Sequence, residues 1–93
     1  MIKVSNITLS EEIILEIVKE YNSIIPTDCG KLKIYNQWDK GLELIITTYA
    51  YPIKKICIWN NNLLNVNSLS YCDTIILYLS MKRIIGEDKV QFI

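Results

Sequence analysis

The segment from Thr8 to Pro26, TLSEEIILEIVKEYNSIIP, leaves the chain little choice of local structure. Ile13, Ile17, Tyr21 and Ile24, with Ile14 and Val18 beside them, recur at intervals of three or four residues. That spacing gathers them on one side of a helix. Glu12, Glu16, Lys19 and Glu20 fall mainly on the other side. Thr8, with Glu11 three residues later, matches a capping box, in which the hydroxyl accepts a backbone N–H and the carboxylate reaches back. Pro26 disfavours helical angles in the residue before it. The spacing therefore predicts an amphipathic helix over residues 9–24. Such a helix must bury its apolar stripe against a second layer.

The rest of the chain supplies strands. IKVSNI is short and rich in β-branched residues, and reads as a first strand. TDCG is a turn. KLKIYNQW alternates, with Leu32 and Ile34 on one face and Lys31, Lys33, Tyr35 and Gln37 on the other. DKG then suggests a hairpin loop with Gly41 at a positive φ. LELIITTYAY continues as a longer strand ended by Pro52, and KKICIW makes another. The Asn60-Asn61-Asn62 run reads as a tight turn, because asparagine tolerates left-handed backbone angles. Leu63, Leu64 and Val66 beyond it are expected to be buried anchors, with a short extra strand an option there. The middle of SYCDTIILYLSMKRIIG also fits a buried strand, since Ile and Tyr favour sheets. Ser70 three residues before Asp73, the length of the segment, Lys82 and Arg83 near its end and Gly86 just past it favour a helix. KVQFI closes the chain. The resulting order, β-α-β-β-β-α-β, implies a single α+β domain over residues 1–93. Its expected form is a two-layer sandwich with both helices on one face of a mainly antiparallel sheet.

A chain of 93 residues must pack this sandwich densely, since one of its size buries only about 60–65% of the surface it exposes when unfolded. The apolar set is bulky: 18 Ile, 10 Leu, 4 Val and 1 Phe stand against a single Ala. A small fold has trouble hiding so much, which makes a homodimer or a protein partner the expected outlet. Formal net charge is zero, so no overall field steers the chain toward nucleic acid or an anionic membrane. Locally the balance shifts. Residues 1–28 hold Lys3 and Lys19 against Glu11, Glu12, Glu16, Glu20 and Asp28, a net of −3. Residues 29–61 hold Lys31, Lys33, Lys40, Lys54 and Lys55 against Asp39 and Glu43, a net of +3. No leader-like N-terminus or membrane-length apolar run is visible, so a cytoplasmic location is expected and the Asn6-Ile7-Thr8 sequon carries no weight.

Several kinds of chemistry find no support. Without histidine the chain lacks the commonest general base and any Ser-His or Cys-His pair. Cys29, Cys57 and Cys72 cannot all pair with one another and have no CxxC spacing, which fits neither a disulfide scaffold nor a zinc or iron–sulfur site. Cys29 reads as a turn thiol, and Cys57 and Cys72 as small core residues. Gly30, Gly41 and Gly86 sit at separate turns, so no phosphate loop exists. Glu12, Glu16 and Glu20 stand in a helical row, which is best read as a solvated face. Glu43 lies with Ile45 and Thr47 on the outer face of a strand. We expect no catalytic residue, cofactor or metal.

One constellation remains. If Leu32, Ile34, Leu44, Ile46, Ile56 and Ile58 face the helices, alternation sends Lys31, Lys33, Tyr35, Tyr49, Tyr51, Lys55 and Trp59 to the opposite face. Exposed Tyr and Trp suit a protein interface, and this is the leading reading: a non-enzymatic interaction domain, homodimeric or bound to another protein. The alternative is single-stranded RNA or DNA, with bases stacked on the aromatics and lysines meeting phosphates. The profile, rich in Ile, Asn, Tyr and Lys and poor in Ala, resembles that of small proteins of viruses and mobile elements with AT-rich genomes. A viral origin would place it in the host cytoplasm.

Overall fold

The computed structural model describes residues 1–5, 10–26, 30–39, 41–47 and 55–93, with residues 55–57 described as backbone alone. In chain order the elements are β1 (Ile2–Val4), α1 (Glu11–Ile24), β2 (Lys31–Trp38), β3 (Gly41–Thr47), β4 (Lys55–Asn60), β5 (Leu63–Asn65), α2 (Tyr71–Ile85) and β6 (Val90–Phe92). A single 3-10 turn, Glu87–Lys89, leads into β6. The described strands make one antiparallel sheet in the order β2-β3-β4-β5-β1-β6. Both helices join one buried cluster with one face of that sheet, so the α+β sandwich expected from the sequence is the fold. The short strand after the asparagine run is present as β5.

Helix α1 begins two residues later than its sequence suggests. Ser10 is the cap, its Oγ accepting the Ile13 N–H at 3.3 Å, and Thr8 lies outside the described residues. The inward stripe is also rotated. Ile14, Ile17 and Tyr21 are buried, Ile13 and Val18 flank them, and Ile24 is exposed at the end of the helix. For α2 the helical reading holds. Ser70 Oγ accepts the Asp73 N–H at 3.2 Å, and Gly86, at φ 126°, donates its N–H to Lys82 O at 3.0 Å. Its buried positions, Leu77, Ser80 and Met81, fall on one helical stripe. Cys72 is off that stripe by about 140° (five residues at 3.6 per turn) and is exposed, not the small core residue expected. Cys29 lies outside the described residues, as does the side chain of Cys57.

On the sheet, Ile2, Val4, Leu32, Leu42, Leu44, Ile46, Trp59, Leu64 and Val90 face the helices and complete the core. The helices are tied to each other and to the sheet edge by polar contacts. Arg83 Nη1 donates to Glu20 Oε1 at 2.6 Å, and Tyr21 Oη donates to Asp73 Oδ1 at 3.5 Å. From α1, the Asn22 amide reaches β2: Nδ2 donates to Leu32 O at 3.0 Å, and Oδ1 accepts the Leu32 N–H at 2.8 Å.

Candidate interaction face

Directly paired residues of an antiparallel ladder share a face, so the register decides what the outer side of the sheet carries. Leu32 pairs with Ile46, Ile34 with Leu44 and Leu42 with Trp59, and these positions turn toward the helices. The outer side begins at β2 with Lys31 and Lys33, opposite Thr47 and Ile45. Both lysines are exposed, as expected. Between Ile34 and Asn36 the register slips by one residue, leaving Tyr35 as the extra residue of a β-bulge. Tyr35 is exposed as expected. Beyond the bulge the alternation is inverted. Gln37 now pairs with Leu42, while Trp38 pairs with Gly41 on the outer side. Counting in twos from Leu32 would have put Trp38 inside, and no residue type in KLKIYNQW announces the slip.

Gly41 is required at that pair for reasons of space. A Cβ there would overlap the Trp59 carbonyl oxygen and come within 3.1 Å of Trp38 Nε1. The Trp38 indole thus covers the glycine, a known way to complete a sheet surface where a side chain is missing.

The register overturns the expectation for β4. Ile58 pairs with Glu43 and is 46% exposed on the outer side, whereas Trp59 is 0% exposed in the core. Alternation allowed only one of the two to face the helices. An indole buries roughly 150–250 Å² and fills the sheet centre better than an isoleucine. Its one polar group is satisfied, since Trp59 Nε1 donates to Asn61 O at 3.0 Å. Leu63 is likewise an outer-face residue, 36% exposed, while Leu64 and Val66 are buried as expected. Of the remaining expected face residues, Tyr49 and Tyr51 lie outside the described residues. So does the side chain of Lys55, whose backbone pairs with Ile46, and that of Ile56.

The asparagines return to prominence as a result. Asn61 makes the tight turn at φ 55°, as its type predicts, and Asn65 Oδ1 accepts the Asn67 N–H at 3.0 Å to shape the next loop. On the outer side Ile58, Leu63, Met1 and Ile93 surround a shallow, open depression of about 650 Å³, rimmed by Asn60, Asn61, Asn62 and Asn65. Lys3 is the one charged side chain lining it. Ile93 is 66% exposed. The centre is aliphatic and the rim is amide. A second hollow, about 540 Å³, lies over the ends of α1 and α2, where Ile24 and Leu79 meet Lys82, Arg83 and Glu87.

One shift stands out, at Lys82, whose pKa is raised by its hydrogen-bonding contact with Tyr78, against opposing desolvation and with Glu87 adding to the rise. Lys82 Nζ sits 4.6 Å from the Tyr78 ring centre and 3.7 Å from Glu87 Oε1, and Tyr78 in turn meets Phe92 edge-on. Among the described residues no group of three or more His, Cys, Asp or Glu could hold a metal ion. No described helix is long and apolar enough to cross a membrane.

Comparison with known proteins adds no assignment: no family model matches the chain, and no curated protein or solved structure is significantly similar to it.

Proposed function

We propose that this chain is a non-enzymatic interaction module, and that the partner at the Ile58–Leu63 end of its outer sheet face is a second copy of itself. The observation that carries the reading is the aliphatic depression of Ile58, Leu63, Met1 and Ile93 within a rim of asparagines. An apolar centre with a polar rim, here amides together with Lys3 and the Met1 ammonium, is the composition of a protein interface. A two-fold dimer brings some residues against their own copies. Asparagine is suited to that, because each amide both donates and accepts, whereas a lysine would meet its own charge. By composition we place the protein among those of viruses or mobile elements acting in the cytoplasm.

Sedimentation equilibrium across the micromolar range tests the reading. The wild type should be dimeric. Ile58→Lys, opposite Glu43, together with Leu63→Glu, opposite Lys3, should be monomeric while keeping a cooperative unfolding transition, since each new charge faces an opposite one within its own chain. A wild-type chain that stays monomeric through the high micromolar range would end the proposal.

A second reading is favoured by the other end of the face, where exposed Lys31, Lys33, Tyr35 and Trp38 lie together on β2. Flat rings beside cations suit unpaired bases and their phosphates. A mixed oligonucleotide pool at low salt, followed by Trp38 fluorescence, tests it. Absence of binding there removes it, since the electrostatic contribution is greatest at low salt.

A further inference from the structure

The chain has two methionines, and the fold treats them oppositely. Met81 is buried in the core, whereas Met1 is 40% exposed. Ile2 packs against the helices, so alternation turns Met1 to the outer side of the sheet with Lys3. The backbone there is held in place, because Met1 O accepts the Ile93 N–H at 3.0 Å. The side chain is thereby set among Ile58, Leu63 and Ile93, lining the depression with them. A thioether is apolar enough for that company and is still open to oxidation.

We infer that Met1 is an oxidation site that governs association of the outer face: a peroxide converts its thioether to the sulfoxide, and the sulfoxide holds the chain as a monomer. This rests on the self-association proposed above. The step moves one oxygen atom. The O–O bond of hydrogen peroxide breaks, an S=O bond forms, sulfur gives up two electrons, and water leaves. The product places a strong acceptor in the middle of an apolar contact, where Ile58, Leu63 and Ile93 offer no side-chain donor. Burying that acceptor unmatched costs more than burying a thioether, so oxidised chains favour the free form. In a two-fold dimer both copies of Met1 belong to the same contact, and the cost is met twice. Oxidation reaches the free chain, where Met1 is exposed, while association shields it, so each process opposes the other. Methionine sulfoxide reductases restore the thioether, which makes the change reversible.

Wild-type protein treated with hydrogen peroxide, then with dithiothreitol to return cysteines to thiols, supplies the test. Mass spectrometry selects the form that carries its added oxygen on Met1. Sedimentation equilibrium should give this form a dimer dissociation constant at least about tenfold higher than that of untreated protein, the effect of one unmatched buried polar group. Methionine sulfoxide reductase should reverse the rise. Met1→Leu, released from a cleavable fusion so that leucine is its first residue, keeps the bulk of the side chain without the sulfur. It should dimerise like the wild type and ignore peroxide. Sulfoxide formation in the wild type should also slow as protein concentration passes the dissociation constant. If the Met1 sulfoxide form dimerises as tightly as untreated protein, the inference is overturned while the dimer stands. An equal response of Met1→Leu to peroxide would overturn it too, because another residue would then carry the effect. So would loss of the native circular dichroism on oxidation, since the site would then act on folding. A wild type that stays monomeric through the high micromolar range ends both readings together.

Discussion

The side chain of Asn22 and the backbone of Leu32 are joined twice, donor to acceptor in each direction, across the boundary between a helix and a sheet edge. Both groups of Leu32 are partly buried by this contact, so removing the amide leaves a donor and an acceptor unmet. An unsatisfied group of this kind costs about 1–3 kcal/mol. Asn22→Ala should lower the unfolding free energy by at least that amount, read as a lower urea midpoint at an unchanged slope.

The two tryptophans should report the inverted alternation of β2 and β4 directly. Trp38 is 42% exposed and Trp59 is fully buried. Acrylamide should quench Trp59→Phe, which retains only Trp38, far more strongly than Trp38→Phe, which retains only Trp59. Truncating the buried indole by Trp59→Ala should cost about 3–5 kcal/mol. Trp38→Ala should cost much less.

Gly41→Ala should destabilise the fold although the change is a single methyl group. The new carbon meets the carbonyl oxygen of Trp59, which belongs to a neighbouring strand and cannot rotate aside. Overpacking of this type costs about 1–3 kcal/mol. Trp38→Ala in the same chain should not relieve it, because backbone is the main obstruction. Denaturant melts of the single and double variants check both statements.

Lys82 sets a pH dependence at the alkaline end. Its folded pKa is raised above the ordinary 10.5 through Tyr78, so the charged form is favoured by folding. That contribution is complete below pH 10.5 and is lost as pH rises through the higher folded value. A carbon-13 titration of the Lys82 side chain should show the raised midpoint, and Tyr78→Phe should bring it back toward 10.5.

Local signals in the chain were strong wherever they involved neighbours in sequence. The helical spacing of the apolar residues around Ile17 and Tyr21, the Ser70 and Gly86 boundaries of α2 and the left-handed Asn61 each depend on contacts within about one turn. Such contacts are written into adjacent residue types. The outer face was harder to read because it depends on parity. Lys31 and Lys33 precede the slip in β2 and are exposed as counted, as is Tyr35 at the slip itself. Trp38 follows it and is displaced to the other side. In β4 the apolar Ile58 and the apolar Trp59 compete for one inward phase, and composition cannot rank them. The volume of the hole beneath α1 and α2 does.

What the amino-acid sequence determined by itself was therefore the elements other than β5, their order and the α+β class, since each rests on short-range spacing and caps. Tertiary structure alone decided which side of β4, and of β2 beyond Tyr35, meets water. A single extra residue at Tyr35, and a single indole that fits the core with its N–H satisfied by Asn61, exchanged the faces of Trp38, Ile58 and Trp59. It alone also decided that Asn22, one more polar residue on an amphipathic helix when read in sequence, would meet the backbone of a strand ten residues on. The reason is the same in each case. Alternation has a period of two, so one residue of slip reverses a face, and only packing against the second layer selects the phase.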